Sequence, residues 1–475
     1  MWVDSDIRDP LQFSTTRKGC ITALMAFVTL AAAFISSTYA GCIGEIKTDL
    51  HVGDEVAALG IALYVLGFAV GPLVWAPLGE LYGRQIIMFI TYGGFTAFNA
   101  GSAGVSHMYS LAIMRFFAGV LAASALTNTG AVIADMYTAN QRGLAMGLFA
   151  TAPFMGPVLG PIVGGFLGQT RGWRWVEGLT AIYSGSLWII TTVSVPETYA
   201  PLLLQKRSKQ LSKMTGRVYV SRLDITKTPK TAKEELRVAL TRPWVLLFYE
   251  PIVLALALYM SIIYGILYMF FGAMPIVYQE KRGWNEGQGG LAFLGIALGM
   301  IVAVAISIPI NSRYRHAAEL DKRNGGTGNL PPEARLTMSM FGAVCLPVGL
   351  TWFAWTNYPS IHCLVSIAAG VPFGLGTVLV FISIKNYLVD AYSLFAASAL
   401  AATVVLRSAF GAGFTLFTTY MYDRLGIHWA SMIPAFLALI CAPLPFMFYH
   451  WGAKIRARCK YSAAAEEFTR NIGEQ

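Results

Sequence analysis

The chain has 475 residues, of which 56% are hydrophobic and only 13% are charged, and its mean hydropathy is +0.56. Ordinary soluble domains carry roughly a quarter charged residues, so this composition excludes a water-soluble globular protein. Runs of about 20 apolar residues recur along the chain, and each is long enough to cross a hydrocarbon core of roughly 30 Å as a helix. We therefore expect an all-α polytopic membrane protein.

Apolar segments are predicted in two groups of six, separated by a basic loop. An even number of crossings puts both termini on the same side, and the basic residues that flank the first and last segments place that side in the cytoplasm. The predicted segments are 19–41, 57–79, 86–104, 108–134, 142–167, 174–195, 245–275, 286–311, 335–356, 359–385, 393–420 and 428–450.

The net charge of +10 is concentrated in the central loop. Between Leu204 and Pro243 there are eleven Lys or Arg and three acidic residues, so this loop carries eleven minus three, or +8. The positive-inside rule expects this of a cytoplasmic loop, so we expect no nucleic-acid partner. The polar composition of the loop predicts a linker with one surface helix around Ala232–Leu240. We expect this linker to contact anionic lipid, and a regulatory domain is the alternative. The predicted organisation is a tail (1–18), a bundle (19–195), the linker (196–243), a second bundle (244–451) and a tail (452–475).

Six cysteines occur singly, without a CxxC pair or a histidine spacing typical of zinc, so neither a metal site nor a cofactor is expected. The first 18 residues are polar and no cleavage site follows the first apolar run, which predicts a retained membrane anchor. The sequence has no Gly-Lys dipeptide and therefore no phosphate-binding loop, which disfavours an ATP-driven pump. The sequence shows no Ser/His/Asp set of the kind that would indicate an enzyme.

A charged turn with two glycines separates the second and third segments. Gly79 and Gly83 permit a tight turn, while Glu80 and Arg84 place opposite charges at a helix mouth, where they can pair and hold one conformation. The alternative is that the stretch is only a turn.

Among the charged residues inside apolar segments, where a charge costs about 2.5–3.5 kcal/mol on the insertion scale, we single out three. Arg115 is a functional candidate, and the alternative is an arginine that reaches the interface. Arg407 is expected to face water or an acid. For Glu250 we weigh a proton site against a structural pair at the cytoplasmic mouth, and the pair is favoured.

The fifth segment combines glycines and prolines at helical spacing. Gly156, Gly160 and Gly164 follow one another every four residues and permit close approach of a neighbouring backbone, while Pro157 and Pro161 permit bending. Simple packing explains the glycines equally well, but the paired prolines favour a gating element.

Aromatic residues of the seventh segment suit a cavity for flat, apolar cargo. The candidates are Tyr264, Tyr268 and Phe271. For any single aromatic residue, packing against lipid or another helix is the favoured alternative.

Together these stretches resemble the signature motifs of the major facilitator superfamily, and within it the fungal twelve-helix drug:proton antiporters. The resemblance spans about residues 10–450. The additional stretches that carry it are Pro196-Glu197-Thr198-Tyr199, Arg242-Pro243-Trp244, Glu250-Pro251-Ile252, Asn386-Tyr387-Leu388-Val389-Asp390 and the segment from Ala396 to Ser408.

The resemblance implies a major facilitator fold of two six-helix bundles and assigns roles to the candidates. Arg115 is implied in proton coupling, with Glu250 and Arg407 as further candidates. Gln85, where the family has a second basic residue, suggests a weaker latch, and the polar Asn128 is a candidate cavity contact. The implied cytoplasmic gate is Gly79, Glu80, Gly83, Arg84, Asp135 and Arg142. The implied antiporter motif is Gly156, Pro157, Gly160, Pro161, Gly164 and Gly165.

The expected function is proton-coupled export of a drug, toxin or secondary metabolite by a monomer. Its expected partners are the small-molecule substrate, protons and membrane lipid. A facilitator or importer of a small nutrient or organic acid on the same fold is the alternative. The plasma membrane is favoured by family resemblance alone, with the vacuolar membrane as the alternative.

Overall fold

The computed structural model describes residues 6, 8–137, 142–221, 232–324 and 330–473, and within these ranges it contains helices and no strands. The first half begins with α1, which Ser14 caps by accepting a hydrogen bond from the Arg17 backbone N–H. Its helices are α1 (Thr15–Thr38), α2 (Ile43–Leu50), α3 (Asp54–Leu81), α4 (Arg84–Ala103), α5 (Met108–Met136), α6 (Arg142–Arg171) and α7 (Trp173–Ser194).

Two helices, α8 (Ala200–Thr215) and α9 (Ala232–Tyr249), connect the halves. The second half comprises α10 (Pro251–Met274), which continues as a π-helical turn over Pro275–Glu280, and then α11 (Glu286–Leu291), α12 (Leu294–Arg323), α13 (Thr337–Thr356), α14 (Cys363–Ala368), α15 (Gly370–Ala391), α16 (Ala396–Cys441), α17 (Pro443–Arg456) and α18 (Lys460–Gly473).

Each predicted apolar segment overlaps at least one helix. In the described part of the chain, nine helical stretches are long and apolar enough to cross a membrane. One of them, Ser393–Arg456, has 64 residues and bends sharply at Gly426, whose φ of 71° lies in the left-handed region. It therefore supplies two crossings. α4 and α7, with 20 and 22 residues, are also long enough to cross a membrane, and the expectation of twelve crossings stays a prediction.

Two boundaries near the linker differ from the sequence-based expectation. The helix expected around Ala232–Leu240 continues to Tyr249, and a separate helix, α8, precedes it. The predicted segment 245–275 is not one helix, because Glu250 is extended and Pro251 starts the next helix. Proline disfavours helical backbone in the residue before it, which explains the break. Residues 222–231 of the linker lie outside the described ranges.

We call the end of the molecule that carries α8 and α9 the linker side, and the opposite end the far side. Between the halves, α3 packs against α16 and α6 packs against α11 and α12. Within the second half, α10 packs on α16, and buried apolar side chains of both halves form one continuous cluster. The aromatic candidates of α10 and Arg407 lie along these contacts between the halves, whereas the charged turn and Arg115 lie within the first half.

Candidate functional site

The charged turn between α3 and α4 has a backbone that requires glycine. Gly83 has φ 101° and ψ 158°, a conformation that only glycine adopts without strain. Arg84 then begins α4, with its Nη2 atom 3.8 Å from Glu80 Oε1 and its Nε atom 3.7 Å from Asp135 Oδ2. Arg84 is buried, so these carboxylates offset a charge that water reaches poorly.

Glu197, which the sequence reasoning did not select, anchors this turn. Its carboxylate accepts hydrogen bonds from the backbone N–H groups of Arg84 (3.0 Å) and Gln85 (3.2 Å) at the start of α4. A negative charge at a helix N-terminus is stabilising. The guanidinium of Arg84 also lies over the Tyr199 ring, 5.0 Å from its centroid. The Pro196–Tyr199 stretch had contributed only to the resemblance, although it completes the turn.

Asn128 lies beside the same turn. A Cβ atom added at Gly79 would lie 2.7 Å from Asn128 Oδ1 and 3.1 Å from Arg84 Nη1. Asn128 is fully buried, and within the part of the chain that the structure describes neither polar atom of its side chain has a hydrogen-bond partner. Its predicted contact with substrate stays a prediction. The side chain of Arg142, another predicted gate residue, lies outside the described part of the structure.

Arg115 is buried between α1, α3 and α7, and its side chain does not extend to the protein surface, as an arginine reaching the membrane–water interface would. Its Nη1 atom is 3.0 Å from Glu177 Oε1, and its Nε donates to the Gly60 carbonyl at 2.7 Å. Its Nη2 donates to the carbonyls of Ile35 (3.1 Å) and Ser36 (3.3 Å). The rings of Tyr39 and Tyr64 lie 4.7 and 4.9 Å from the guanidinium. Each nitrogen of this guanidinium therefore has a partner.

Glu177 is the acid that the sequence reasoning missed. It lies one turn into α7 and is fully buried, and no described residue forms a hydrogen bond with its second oxygen, Oε2. Glu177 is the only acidic residue of the predicted segment 174–195. An intramembrane acid is a functional candidate by default, so that signal was present in the sequence.

The glycine face of α6 packs against α1. A Cβ added at Gly156 would lie 2.6 Å from the Phe34 backbone nitrogen, and one at Gly160 would lie 2.8 Å from that of Thr38. At Gly164 the space is taken by the Thr38 carbonyl oxygen. The two helix backbones are thus in direct contact, as glycine faces permit. The role of this motif in the direction of transport stays a prediction.

The same helix meets the second half at the far side. A Cβ at Gly165 would lie 2.5 Å from the Glu286 carbonyl oxygen, and one at Gly290 would lie 2.6 Å from the Pro161 carbonyl oxygen. In this conformation the halves are therefore packed backbone to backbone at the far side. The C-terminal part of the predicted antiporter motif, at Pro161 and Gly165, lies at this contact.

Aromatic residues of α10 lie at the centre of the contact between the halves. Ser36 Oγ on α1 is 2.9 Å from the Tyr268 hydroxyl, to which the Tyr264 hydroxyl donates at 3.4 Å. Phe271 packs edge-on against the Tyr268 ring, with 5.0 Å between their centroids. Tyr268 and Phe271 are fully buried in this conformation.

Arg407 on α16 lies near these aromatics, at 4.9 Å from the Tyr264 centroid and 6.0 Å from the Phe381 centroid. The acid that the sequence predicted as one possible neighbour is absent, because no carboxylate lies within 4 Å of its guanidinium among the described residues. Instead Lys385 on α15, a residue that was not selected, lies 5.8 Å from the same Phe381 centroid.

Glu250 is buried on the linker side, between α9 and α10. Its carboxylate accepts hydrogen bonds from the Tyr392 hydroxyl and from the Tyr461 backbone N–H, both at 2.9 Å. The favoured expectation was a structural pair, but in the described part of the chain its carboxylate binds a phenol and a backbone amide. Tyr461 is the second residue of α18, so its hydrogen bond to Glu250 holds the start of the C-terminal helix against the second bundle.

Comparison with known proteins identifies the family of this fold. The family model described as Major Facilitator Superfamily matches residues 25–414. The chain belongs to this superfamily. Its members are transporters rather than enzymes and take small-molecule substrates, and the many apolar helices make this chain a multi-pass membrane protein.

Two similar proteins in this superfamily come from fungi. The chain is 58% identical over 475 residues to the "Major facilitator superfamily multidrug transporter mdrA" of Aspergillus fumigatus, covering all of this chain and 77% of that protein. It is 52% identical over 449 residues to "Efflux pump FUB11" of Gibberella moniliformis, covering 94% and 75%. Among solved structures, the proton:xylose symporter XylE aligns with a TM-score of 0.65 at 14% identity, covering 92% of this chain and 97% of XylE. That likeness concerns the fold alone.

In the major facilitator fold, substrates bind near the midplane between two bundles that rock against each other. The Ser36–Tyr268 contact and the Arg407 neighbourhood lie at this interface. Arg115 and Glu177 lie within the first bundle, one hydrogen bond away from it through the Ser36 carbonyl. The far-side packing of α6 is the contact that must separate when such a transporter opens to that side.

Proposed function

We propose that this protein is a proton-coupled exporter of small organic molecules such as drugs, toxins or secondary metabolites. The observation that carries the proposal is the fully buried Arg115–Glu177 pair, whose guanidinium also bonds to two carbonyls of α1. The Glu177 carboxylate has two protonation states. When it is ionised it forms an ion pair with Arg115, and when it is protonated this interaction is weaker. The names of the fungal relatives, a multidrug transporter and an efflux pump, support export as the direction.

In the proposed cycle, a proton that enters from the far side reaches Glu177 and weakens its bond to Arg115. Arg115 then shifts its hydrogen bonds on Ile35 and Ser36, and α1 transmits the change to the interface between the bundles. The proton gradient thereby supplies the work of export. We place the linker side in the cytoplasm, because the basic residues of the linker concentrate there, and assign the monomer to the plasma membrane.

The test is substrate accumulation in pump-deficient yeast that expresses the protein, across a panel of toxic compounds, with and without a protonophore. The expected result is lower accumulation of some compounds, abolished by the protonophore, by Arg115→Ala and by Glu177→Gln. Arg174→Gln is the matched control. Arg174 is an arginine on the same helix as Glu177, but it is 46% exposed and pairs with Asp49 near the surface.

Higher accumulation that survives the protonophore would overturn the proposal and make the protein a facilitator or importer. Lower accumulation that survives the protonophore would contradict proton coupling and support only the export part of the proposal.

A further inference from the structure

Two cationic side chains share one aromatic ring at the interface between the bundles. The Phe381 centroid is 5.8 Å from Lys385 Nζ and 6.0 Å from the Arg407 guanidinium carbon. The ring of Phe154, from the first bundle, meets Phe381 edge-on at 5.3 Å, and Lys385 lies 5.8 Å from it as well. This cationic cluster therefore has walls from both halves of the transporter.

The cluster has no anion to balance it. In residues 6, 8–137, 142–221, 232–324 and 330–473, neither Lys385 nor Arg407 has a carboxylate within 4 Å. Arg407 is only 7% exposed, yet among the described residues its Nε has no hydrogen-bond partner, and neither does the buried hydroxyl of the adjacent Ser408.

Arg115 provides an internal comparison. It is similarly buried, and its guanidinium has one carboxylate and three carbonyl oxygens as partners. The same residue type at Arg407 has aromatic faces instead. Cation–π contacts alone recover less free energy than a buried charge loses when it leaves water. A carboxylate between Arg407 and Lys385 supplies the missing partner.

We propose that this cluster is the substrate subsite for the carboxylate group of a small aromatic organic acid. Arg407 offers a planar fork of donors that matches a carboxylate in two parallel hydrogen bonds, and Lys385 adds a second positive charge. The rings of Tyr264, Phe381 and Phe154 provide flat apolar faces beside these donors, against which an aromatic ring packs. A cationic drug is disfavoured there, because two like charges would repel it.

This inference rests on the proposed function, which makes the interface between the bundles the place of substrate binding. It narrows the cargo from small organic molecules in general to aromatic acids in their ionised form. It also gives Lys385, which no motif marked, a role in specificity.

The experiment measures binding to the purified full chain in detergent by isothermal titration calorimetry. The probes are 2-naphthoate, its uncharged amide 2-naphthamide, and the cationic 2-naphthylmethylammonium ion. We expect the wild type to bind naphthoate roughly tenfold or more tightly than the amide, the size of one charge-assisted hydrogen bond. The cation is expected to bind most weakly.

Arg407→Gln and Lys385→Gln are each expected to reduce the preference for the acid over the amide by about tenfold, and Arg407→Lys by less, since it keeps the charge without the fork. The matched control is Arg424→Gln, on the same helix: Arg424 is exposed and also lies over a tyrosine ring, that of Tyr420, at 5.4 Å. It is expected to bind like the wild type. Size-exclusion profiles exclude variants that do not fold, and the two sites give independent tests.

The proposal is overturned if naphthoate does not bind saturably, if the amide or the cation binds as tightly, or if the preference survives both Arg407→Gln and Lys385→Gln. Binding in detergent needs no proton gradient. If the preference for the acid is present but accumulation in yeast is insensitive to the protonophore, the proposed function is wrong and the anion subsite stands. If accumulation depends on the proton gradient but the preference is absent, the proposed function stands and the anion subsite is wrong.

Discussion

The hydroxyl oxygens of Ser36 and Tyr268 lie 2.9 Å apart and join the two halves of the protein at the centre of their interface. The Ser36 carbonyl accepts a hydrogen bond from Arg115, and the Tyr268 hydroxyl accepts one from Tyr264, whose ring lies against Arg407. A continuous chain of contacts thus runs from the buried ion pair of the first bundle to the cationic cluster at the interface. In the proposed cycle, this chain of contacts is the route by which protonation of Glu177 would change binding at the cationic cluster.

Replacing Tyr268 with phenylalanine tests this route. The change removes one buried hydroxyl and leaves the ring, so we expect a loss of about 1 kcal/mol in stability and a clear fall in transport rate. Tyr278→Phe is the matched control, because Tyr278 makes the same kind of bond to Ser366 at 2.7 Å within the second half. Thermal unfolding and efflux are measured on both. Equal effects of the two changes on efflux would contradict the route.

Glu177→Gln is expected to destabilise the protein strongly, because it leaves Arg115 as a buried charge without an anion. Breaking one side of a buried pair costs about 3–5 kcal/mol, whereas replacing both partners by apolar residues is often neutral. We therefore expect Arg115→Met combined with Glu177→Met to recover thermal stability and to remain inactive in proton-driven efflux.

The control for that experiment is Asp49→Asn, which breaks the ion pair of Asp49 with Arg174 at 2.5 Å, both side chains being more than 40% exposed. An exposed pair contributes up to about 1 kcal/mol, so the expected change is small. If Glu177→Gln unfolds no earlier than Asp49→Asn, the buried pair does not stabilise the first bundle.

The apolar segments and the signature motifs were sufficient to predict the fold, because crossing a membrane imposes a length and a hydropathy that can be counted. Arg115 could be selected for the same reason, since a charge in such a segment stands out. Its partner Glu177 also stood out but lies 62 residues away, and pairing across that separation depends on how α5 and α7 pack.

Other contacts had no comparable signal. Glu197 follows α7 in a polar stretch, and its bond to the start of α4 depends on tertiary packing. Lys385 could have been noticed as a charge at the end of its predicted segment, but its proximity to Arg407 depends on the packing of α15 against α16. The break at Glu250 was indicated by Pro251, yet the hydrogen bonds of Glu250 to Tyr392 and to the C-terminal helix were not.

Gly164→Ala is expected to reduce both stability and efflux, although alanine is usually the better helix former by roughly 0.5–1 kcal/mol. The Cβ atom would meet the Thr38 carbonyl group, with its carbon 3.0 Å away, and would push α6 from α1. Gly413→Ala in α16 is the matched control, since nothing lies within 4 Å of the added atom. Unfolding temperature and efflux should fall in the first variant, while the second should be as stable as the wild type or more so. A stabilised, active Gly164→Ala protein would show that α6 and α1 separate freely.

Cys459 reports whether the C-terminal helix is docked on Glu250. Burial, with the nearby Glu250 carboxylate, raises the pKa of the Cys459 thiol to about 11, so little thiolate exists at neutral pH. In a variant that retains only this cysteine, maleimide labelling should be slow at neutral pH and should accelerate as pH rises toward that value.

Glu250→Gln removes the negative charge and is expected to lower the pKa, which shifts the labelling curve to lower pH. Glu466→Gln is the matched control: this carboxylate lies on the same C-terminal helix, is 63% exposed and pairs with Arg456. An unshifted curve in Glu250→Gln would mean that Cys459 does not sense Glu250. Fast labelling of the parent variant at neutral pH would mean that the helix is undocked in the membrane. Efflux is measured in parallel on the same variants. A change in efflux rate when the C-terminal helix undocks would show that docking of this helix matters for transport.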